Sequence, residues 1–473
     1  MEYLGYLFVG LPYLVALLLG LLIPVILLLS CRHVGFGIAL VALLFTFQIF
    51  YANAEGLQLG VRLSVPDIVT VLIGLAALLR FLFVSGGRPN MPSWYLFLFA
   101  VFASLGLGLA TLGSPAGVAT RPYFYAIAVA SYALTFPGDA KMVRQLMTAL
   151  VWLALFLMAV IVARWVITYL PIPSLLPEGG RFSSVEASLL RVVSSEEAVV
   201  MAQVVVVALF YAVLSPALRF VRPLLPFMLM VVVALQHRSV WLATLAAVVA
   251  RFALPQAGRK ATVQLAALAL VVAVVAIPVA LSGKFGGAAQ DISSSADRAV
   301  NLSDTADFRL SGWKVIISKW ANSGPRGLAM GLPMGTAMDR TLLGGRGDYI
   351  RVGFQAHNYY VQTLFNTGLL GLGATLLVYG GVLLSLYRGL GDAELSNESG
   401  AMLLLIVAQM AYYFTYGIDF AQGLILGVAG ALALTLRARR KALAMQTAVP
   451  APLQGKMAAR AAPLRRPGAI PRP

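Results

Sequence analysis

Residues that build disulfides and metal centres are scarce in this sequence. It contains one cysteine, Cys31, and three histidines, His33, His237 and His357. A single cysteine excludes an intramolecular disulfide and a thiolate metal cluster. The His-Glu-x-x-His pattern of zinc peptidases is also absent. We therefore predict chemistry that uses no metal ion, and we expect no cofactor.

Charged residues are also few, at 11% of 473 residues, whereas 60% of the residues are hydrophobic and the mean hydropathy is +0.87. This composition excludes a soluble domain and requires many segments of about 20 apolar residues, the length of a helix that crosses a bilayer. A membrane β-barrel would alternate apolar and polar residues, but runs such as 204–210, VVVVALF, do not alternate. The sequence therefore predicts an all-α polytopic membrane protein.

Hydropathy predicts about thirteen membrane-spanning helices, with about twelve to fourteen compatible with the pattern. The predicted spans are 6–29, 34–51, 66–84, 93–112, 118–136, 145–169, 195–214, 220–235, 238–254, 261–281, 358–386, 400–417 and 419–436. We accordingly divide the chain into an N-terminal transmembrane bundle (1–281), a large periplasmic loop (282–356), C-terminal transmembrane helices (357–441) and a disordered basic tail (442–473).

Basic residues fall on every second predicted loop. They are Arg32, Arg88, Lys141, Arg144, Arg219, Arg222, Arg251, Arg259, Lys260 and Arg388, with Arg437, Arg439, Arg440 and Lys441 after the last span. By the positive-inside rule these loops and the C-terminus lie in the cytoplasm, and an odd number of spans places the N-terminus outside. The formal charge of +17 therefore indicates membrane topology and contact with anionic lipid, and we expect no nucleic-acid partner.

The large loop contains an amphipathic segment. Leu310, Trp313, Ile316, Ile317 and Trp320 follow a helical spacing. A helix of this kind either lies on the membrane surface or covers a site. A glycine-rich segment, residues 324–335, follows it.

His357 stands where the loop ends and a long apolar segment begins. Histidine has the unperturbed side-chain pKa nearest physiological pH, so His357 is either a candidate for proton chemistry or an interfacial residue that caps the helix. Asn358 and Gln362 lie four residues apart on one helical face. These two side chains either orient the imidazole or a sugar hydroxyl, or form interhelical hydrogen bonds.

Four arginines, Arg191, Arg238, Arg309 and Arg351, fall on the same predicted face as His357. The planar guanidinium binds phosphate through two hydrogen bonds, and ionisable groups at membrane depth are mostly functional. Arginines beside a histidine therefore predict a site for a phosphate-bearing lipid head group. The alternative interpretation is that these side chains reach to the interface and anchor their helices.

Several of these elements together resemble the O-antigen ligase/polymerase superfamily of bacterial envelope glycosyltransferases. The matching elements are His357-Asn358 followed by Gly368 and Gly371, the run 236–243 (QHRSVWLA) that contains Arg238, Arg309-x-x-x-Trp313 before the glycine-rich segment, and Arg191 before a mid-chain span. The resemblance covers roughly residues 190–435. It departs from the family at 194–197, where SSEE replaces the usual glycine and Pro-Asn after the arginine.

The resemblance implies a C-type glycosyltransferase fold in the bacterial inner membrane, with its active site at the periplasmic face. The implied donor is a glycan linked to undecaprenyl pyrophosphate, and the implied acceptor is the lipid A core or a growing glycan. The implied reaction is inverting and metal-independent. In it His357 assists the acceptor hydroxyl, and Arg191, Arg238, Arg309 and Arg351 bind the pyrophosphate.

The sequence leaves several functions open. A ligase and a polymerase that joins lipid-linked repeat units share the same pattern. A transporter or flippase of lipid-linked sugars would carry charges along a central path and a pseudo-repeat, and we find neither. A non-enzymatic polysaccharide-export scaffold would tolerate the loss of His357.

Overall fold

The computed structural model describes residues 22–51, 57–58, 62–84, 86–169, 192–254, 262–267, 305–343, 349–353 and 356–448. The α helices with defined bounds are α1 Leu22–Arg32, α2 Val34–Tyr51, α3 Val65–Phe83, α4 Pro92–Leu112, α5 Ser114–Leu134, α6 Ala140–Tyr169, α7 Ser195–Phe210, α8 Leu225–Ala234, α9 Arg238–Ala253, α10 Thr305–Ala321, α11 Gly324–Met330, α12 Tyr359–Gly389, α13 Ser396–Tyr412 and α14 Phe420–Ala448. A 3-10 helix, Pro216–Leu224, leads into α8. The described strands form two antiparallel hairpins, β1 Leu57–Gln58 with β2 Arg62–Leu63, and β3 Asp339–Leu343 with β4 Tyr349–Gly353.

Six helices of the described chain are long and apolar enough to cross a membrane. They are Val65–Phe83, Pro92–Leu112, Ala140–Ile167, Pro216–Ala234, Tyr359–Gly389 and Phe420–Gln446. The apolar helices Leu22–Arg32 and Val34–Ile49 are shorter. The prediction of a helical, multi-pass membrane protein is therefore confirmed. The count of about thirteen spans stays a prediction, because 1–21 and 268–304 lie outside the described residues.

The last helix extends further than the sequence predicts. Helix α14 continues through Lys441 to Ala448, so the beginning of the predicted disordered tail is helical. Ala442, Leu443 and Ala444 are strong helix formers, which explains the extension. The remaining tail, 449–473, lies outside the described residues.

Helix α14 occupies the interior of the bundle and packs closely against α5. A Cβ atom on Gly423 would lie 2.5 Å from the backbone oxygen of Ala126, and one on Gly427 would lie 2.6 Å from that of Ala130. Small residues at helix contacts allow the backbones to approach in this way. The tight contact fixes the first part of α14, close to the turn that precedes it.

Polar contacts identify the two ends of the bundle. At one end the Arg80 guanidinium donates to the Cys31 carbonyl and, over 3.0 Å, to the Thr135 carbonyl, which gathers the ends of α1, α3 and α5. Arg144 and Glu398, at the starts of α6 and α13, pair over 3.3 Å. We call this the Arg80 end. Helix α13 runs from there to the opposite end, which we call the His357 end.

The glycine-rich segment of the loop docks against an interruption in α12. Gly368 has φ 64° and ψ −164°, a conformation outside the helical region. The Leu332 amide donates to the Phe365 carbonyl over 2.8 Å, and Ser104 of α4 donates to the carbonyls of Leu332 and Asn366. The break therefore frees backbone acceptors that hold 331–334 between α4 and α12.

Candidate functional site

His357 is held at the start of α12 by its neighbours. Its φ is +41°, in the left-handed region that histidine adopts more readily than most residues. Asn358 is the N-cap, and its side-chain oxygen accepts a hydrogen bond from the Val361 amide over 3.0 Å. The Tyr359 amide donates to the carbonyls of Tyr413 and Tyr416 over 2.9 and 3.0 Å. These bonds fix the backbone that follows the exposed histidine.

Tyr416 brings His357 and Arg309 together. The imidazole and the Tyr416 ring meet edge to face, with centroids 6.1 Å apart and an interplanar angle of 75°. The Arg309 guanidinium carbon lies 5.6 Å from the centroid of the same ring. Arg309 also donates to the Thr415 carbonyl over 3.4 Å. One tyrosine therefore positions a potential base and a permanent cation.

The loop helix α10 brings Arg309 to this position. The Trp313 indole donates to the Ala356 carbonyl over 2.5 Å, and Ile316 is buried against Ala356 and Phe365. The predicted amphipathic helix therefore exists, and it covers the beginning of α12. Its packed face is narrower than predicted, because Leu310 and Ile317 are 45% and 39% exposed.

A stack of aromatic rings continues from Tyr416 into the bundle. Tyr412 lies parallel to Tyr416, with centroids 5.0 Å apart and an interplanar angle of 7°. The Tyr412 hydroxyl and the Ser195 hydroxyl lie 2.9 Å apart, and both residues are buried. Ser195 is the first residue of α7. The stack therefore connects His357 to the N-terminus of α7.

The N-terminus of α9 joins the same group of helix ends. His237 is the N-cap of α9, and its Nε2 lies 2.9 Å from the Val193 carbonyl, just before α7. Arg238 is the first residue of α9 and is half-buried. Helix N-termini carry partial positive charge and unsatisfied amides, which favour anions. Arg238 and two helix N-termini therefore lie at the His357 end.

The pKa of His357 lies below its ordinary value. Loss of water on the packed side of the imidazole is the larger cause, and the positive charge of Arg309 is the second. Both causes disfavour the imidazolium. His357 is therefore neutral at neutral pH and has a lone pair available to accept a proton.

The remaining predicted site residues are Arg191, Arg351, Asn358 and Gln362. Arg191 lies outside the described residues. Arg351 lies in β4 opposite Thr341, and its side chain lies outside the described part. Asn358 uses its side-chain oxygen as the helix cap. Gln362 is half-buried and faces the turn before α14, since a Cβ on Gly417 would lie 3.8 Å from its Oε1.

The sequence reasoning missed Tyr412 and Tyr416. Neither side chain is charged at neutral pH, and their rings act through stacking and edge contacts. Tyr412 is the last residue of α13, and Tyr416 lies four residues later in the short turn before α14. This spacing of two tyrosines was the available signal. Among the described residues no three His, Cys, Asp or Glu side chains gather as a metal site requires, and metal independence stays a prediction.

The comparison with protein families matches the middle of the chain. Residues 223–376 match the family described as O-antigen ligase. The matched region begins just before α8, contains Arg238, Arg309 and His357, and ends within α12. No curated protein matches the chain. The match confirms the resemblance that the sequence elements indicate.

Proposed function

We propose that this chain, a multi-pass membrane protein with an O-antigen ligase region at residues 223–376, is a glycosyltransferase of the bacterial inner membrane. It transfers a glycan from undecaprenyl pyrophosphate to a sugar hydroxyl of the lipid A core. The site is the His357 end, and the distribution of basic residues supports a periplasmic position for it. The observation that carries the proposal is the joint contact of His357 and Arg309 with Tyr416.

The proposed reaction needs a base for the acceptor hydroxyl and positive charge for the leaving group. The acceptor oxygen attacks the anomeric carbon from the side opposite the leaving group, so the configuration inverts. As the new C–O bond forms, the acceptor proton passes to the neutral imidazole of His357, which acts as a general base. The bond from the anomeric carbon to the pyrophosphate oxygen breaks, and its electrons leave with undecaprenyl pyrophosphate.

The leaving group gains negative charge, and fixed cations stabilise that charge. Arg309 stands beside the imidazole, and Arg238 begins α9 at the same end of the bundle. Arg191 and Arg351 complete the proposed set. A fixed guanidinium needs no reorganisation as the charge develops, and it presents paired donors to phosphate oxygens.

Exposure supports the assignment of roles. His357 is exposed, whereas Asn358 and Tyr359 are buried. An acceptor sugar approaching from the aqueous side therefore reaches the imidazole without displacing the helix start. Leu310 and Ile317 remain exposed on α10, where they offer apolar surface to the lipid part of the substrates.

Complementation of a deletion strain tests the function and identifies the product. We expect wild-type protein to restore glycan linked to the lipid A core, and His357→Ala to abolish it at an unchanged membrane level. His33→Ala is the matched control, because His33 is exposed at the Arg80 end. Restoration of a free or capsular polymer instead would identify a polymerase. Full activity of His357→Ala would overturn the proposed catalytic role.

A further inference from the structure

An open groove runs between α2 and α6 at the Arg80 end, far from the site at His357. Its volume is about 790 Å³, within the usual range for small-ligand sites. The space arises because α2 turns small residues toward α6: Gly35, Ala39 and Ala42 line it, with Ala149 on the opposite wall. Spacings of four and three place these α2 residues on one helical face.

The length of the groove is apolar. Leu43, Trp152, Leu153 and Phe156 form its walls, and Leu43 and Trp152 are 65% and 57% exposed. The two hydroxyls in the groove are already bonded to their own helices. Thr46 donates to the Ala42 carbonyl over 3.0 Å, and Thr148 donates to the Arg144 carbonyl over 2.8 Å. The walls therefore favour a hydrocarbon chain.

One end of the groove is cationic. Lys141 and Arg144 lie in the first turns of α6 and are exposed. Arg144 uses part of its guanidinium on Glu398, and its side chain remains 57% exposed. No carboxylate of the described residues lies within 4.0 Å of Lys141. This end therefore attracts an anion.

We propose that the groove binds an anionic glycerophospholipid of the cytoplasmic leaflet, of the phosphatidylglycerol type. Its phosphate lies between Lys141 and Arg144, and an acyl chain fills the groove toward Phe156. From Lys141 to Phe156 the helix rises about 22 Å. One leaflet contributes about 15 Å to the hydrocarbon core, so the groove is long enough for an acyl chain of that leaflet.

Native mass spectrometry of the full-length protein in detergent tests this proposal, with phosphatidylglycerol and phosphatidylcholine as the titrated probes. We expect phosphatidylglycerol to bind at least about fivefold more tightly, and Lys141→Ala to lose about fivefold in affinity, the effect of one basic contact with anionic lipid. Arg388→Ala is the matched control, since Arg388 is exposed at the same end. It leaves the affinity unchanged.

A second variant tests the apolar part of the groove. Ala39→Trp fills it and is expected to abolish the preferential binding, whereas Leu377→Trp, at a position that is 61% exposed on α12, is expected to preserve it. Both positions accept a larger side chain at the surface, so folding is retained. Equal binding of the two lipids, or equal effects of Lys141→Ala and Arg388→Ala, would overturn the proposal.

Discussion

The imidazole of His357 meets the ring of Tyr416 edge to face, with the centroids 6.1 Å apart. The two residues come from different segments of the chain, and the Tyr359 amide ties them together by donating to the Tyr416 carbonyl over 3.0 Å. Because Arg309 lies over the same ring, Tyr416 is a positioning residue for both functional groups. Both contacts are made by the ring of Tyr416 and not by its hydroxyl.

Two substitutions of Tyr416 distinguish the contribution of its ring from that of its hydroxyl. We expect Tyr416→Leu to lower kcat by about 5- to 60-fold, because an aromatic pair and a cation–π contact contribute together roughly 1 to 2.5 kcal/mol. Tyr416→Phe keeps both contacts and is expected to retain nearly full activity. Initial rates of glycan transfer measure the difference. Equal losses in the two variants would show that the hydroxyl, and not the ring, matters.

The pH dependence of transfer reports the state of His357. A general base must be neutral, so the rate falls as the pH falls through its pKa. Because burial and Arg309 lower that pKa, the acid limb lies below the ordinary imidazole range. Arg309→Gln removes the positive charge, and we expect its acid limb to move to higher pH.

The matched variant for that experiment is Arg309→Lys. It keeps the positive charge beside His357, so its acid limb is expected to stay near that of the wild type even where the rate falls. The measurement is kcat/KM as a function of pH for the three proteins, because this ratio reports the free enzyme. An acid limb that does not move in Arg309→Gln would contradict the electrostatic coupling of the two residues.

Substitutions of Arg238 test the proposed pyrophosphate contact at the start of α9. We expect Arg238→Gln to lower kcat/KM for the lipid-linked donor by roughly 10- to 100-fold, the range for losing a hydrogen bond to a charged group. Arg238→Lys keeps the charge without the planar fork and is expected to recover part of the loss. Steady-state kinetics with a varied donor measure both. A control, Arg388→Gln, is expected to leave kcat/KM unchanged.

The break in α12 predicts that alanine substitutions at two glycines of this helix differ in their effect on protein stability. A Cβ on Gly368 would lie 2.4 Å from the Ala329 carbonyl oxygen, and its φ and ψ belong to a region used almost only by glycine. We expect Gly368→Ala to cost at least about 2 kcal/mol in stability. Thermal unfolding in detergent measures the loss.

Gly373 is the matched control on the same helix. Nothing lies within 4 Å of the Cβ it would carry, and alanine is the better helix former. Gly373→Ala is therefore expected to leave the melting temperature unchanged or to raise it slightly. A Gly368→Ala protein as stable as Gly373→Ala would contradict the described docking of 331–334 on the helix break.

Sequence reasoning succeeded where local physics decides the structure. Long apolar runs become helices because the bilayer leaves backbone groups no other partner. Local physics also explains a correction: the sequence offered His357 as the residue that caps α12, but the cap is Asn358, whose short polar side chain accepts from a free amide at the helix start. The spacing of Trp313, Ile316 and Trp320 gives the loop helix its packed face.

The arrangement at the site depended on contacts that no local pattern reveals. Tyr359 and Tyr413 are far apart in sequence, yet a backbone hydrogen bond joins them. The stack of Tyr412 on Tyr416 forms only when the turn before α14 meets the start of α12. The backbone that packs against Gly368 belongs to the glycine-rich segment, at Ala329 and Gly331.

The most direct test of the central claim is glycan transfer by purified protein in liposomes, with an undecaprenyl-pyrophosphate-linked donor and a lipid A core acceptor. His357→Asn removes the base while keeping a residue that tolerates the positive φ of this position. We expect a rate at least about 100-fold below that of wild type and of His33→Asn, with an unchanged melting temperature. Transfer by His357→Asn at the wild-type rate would contradict this expectation.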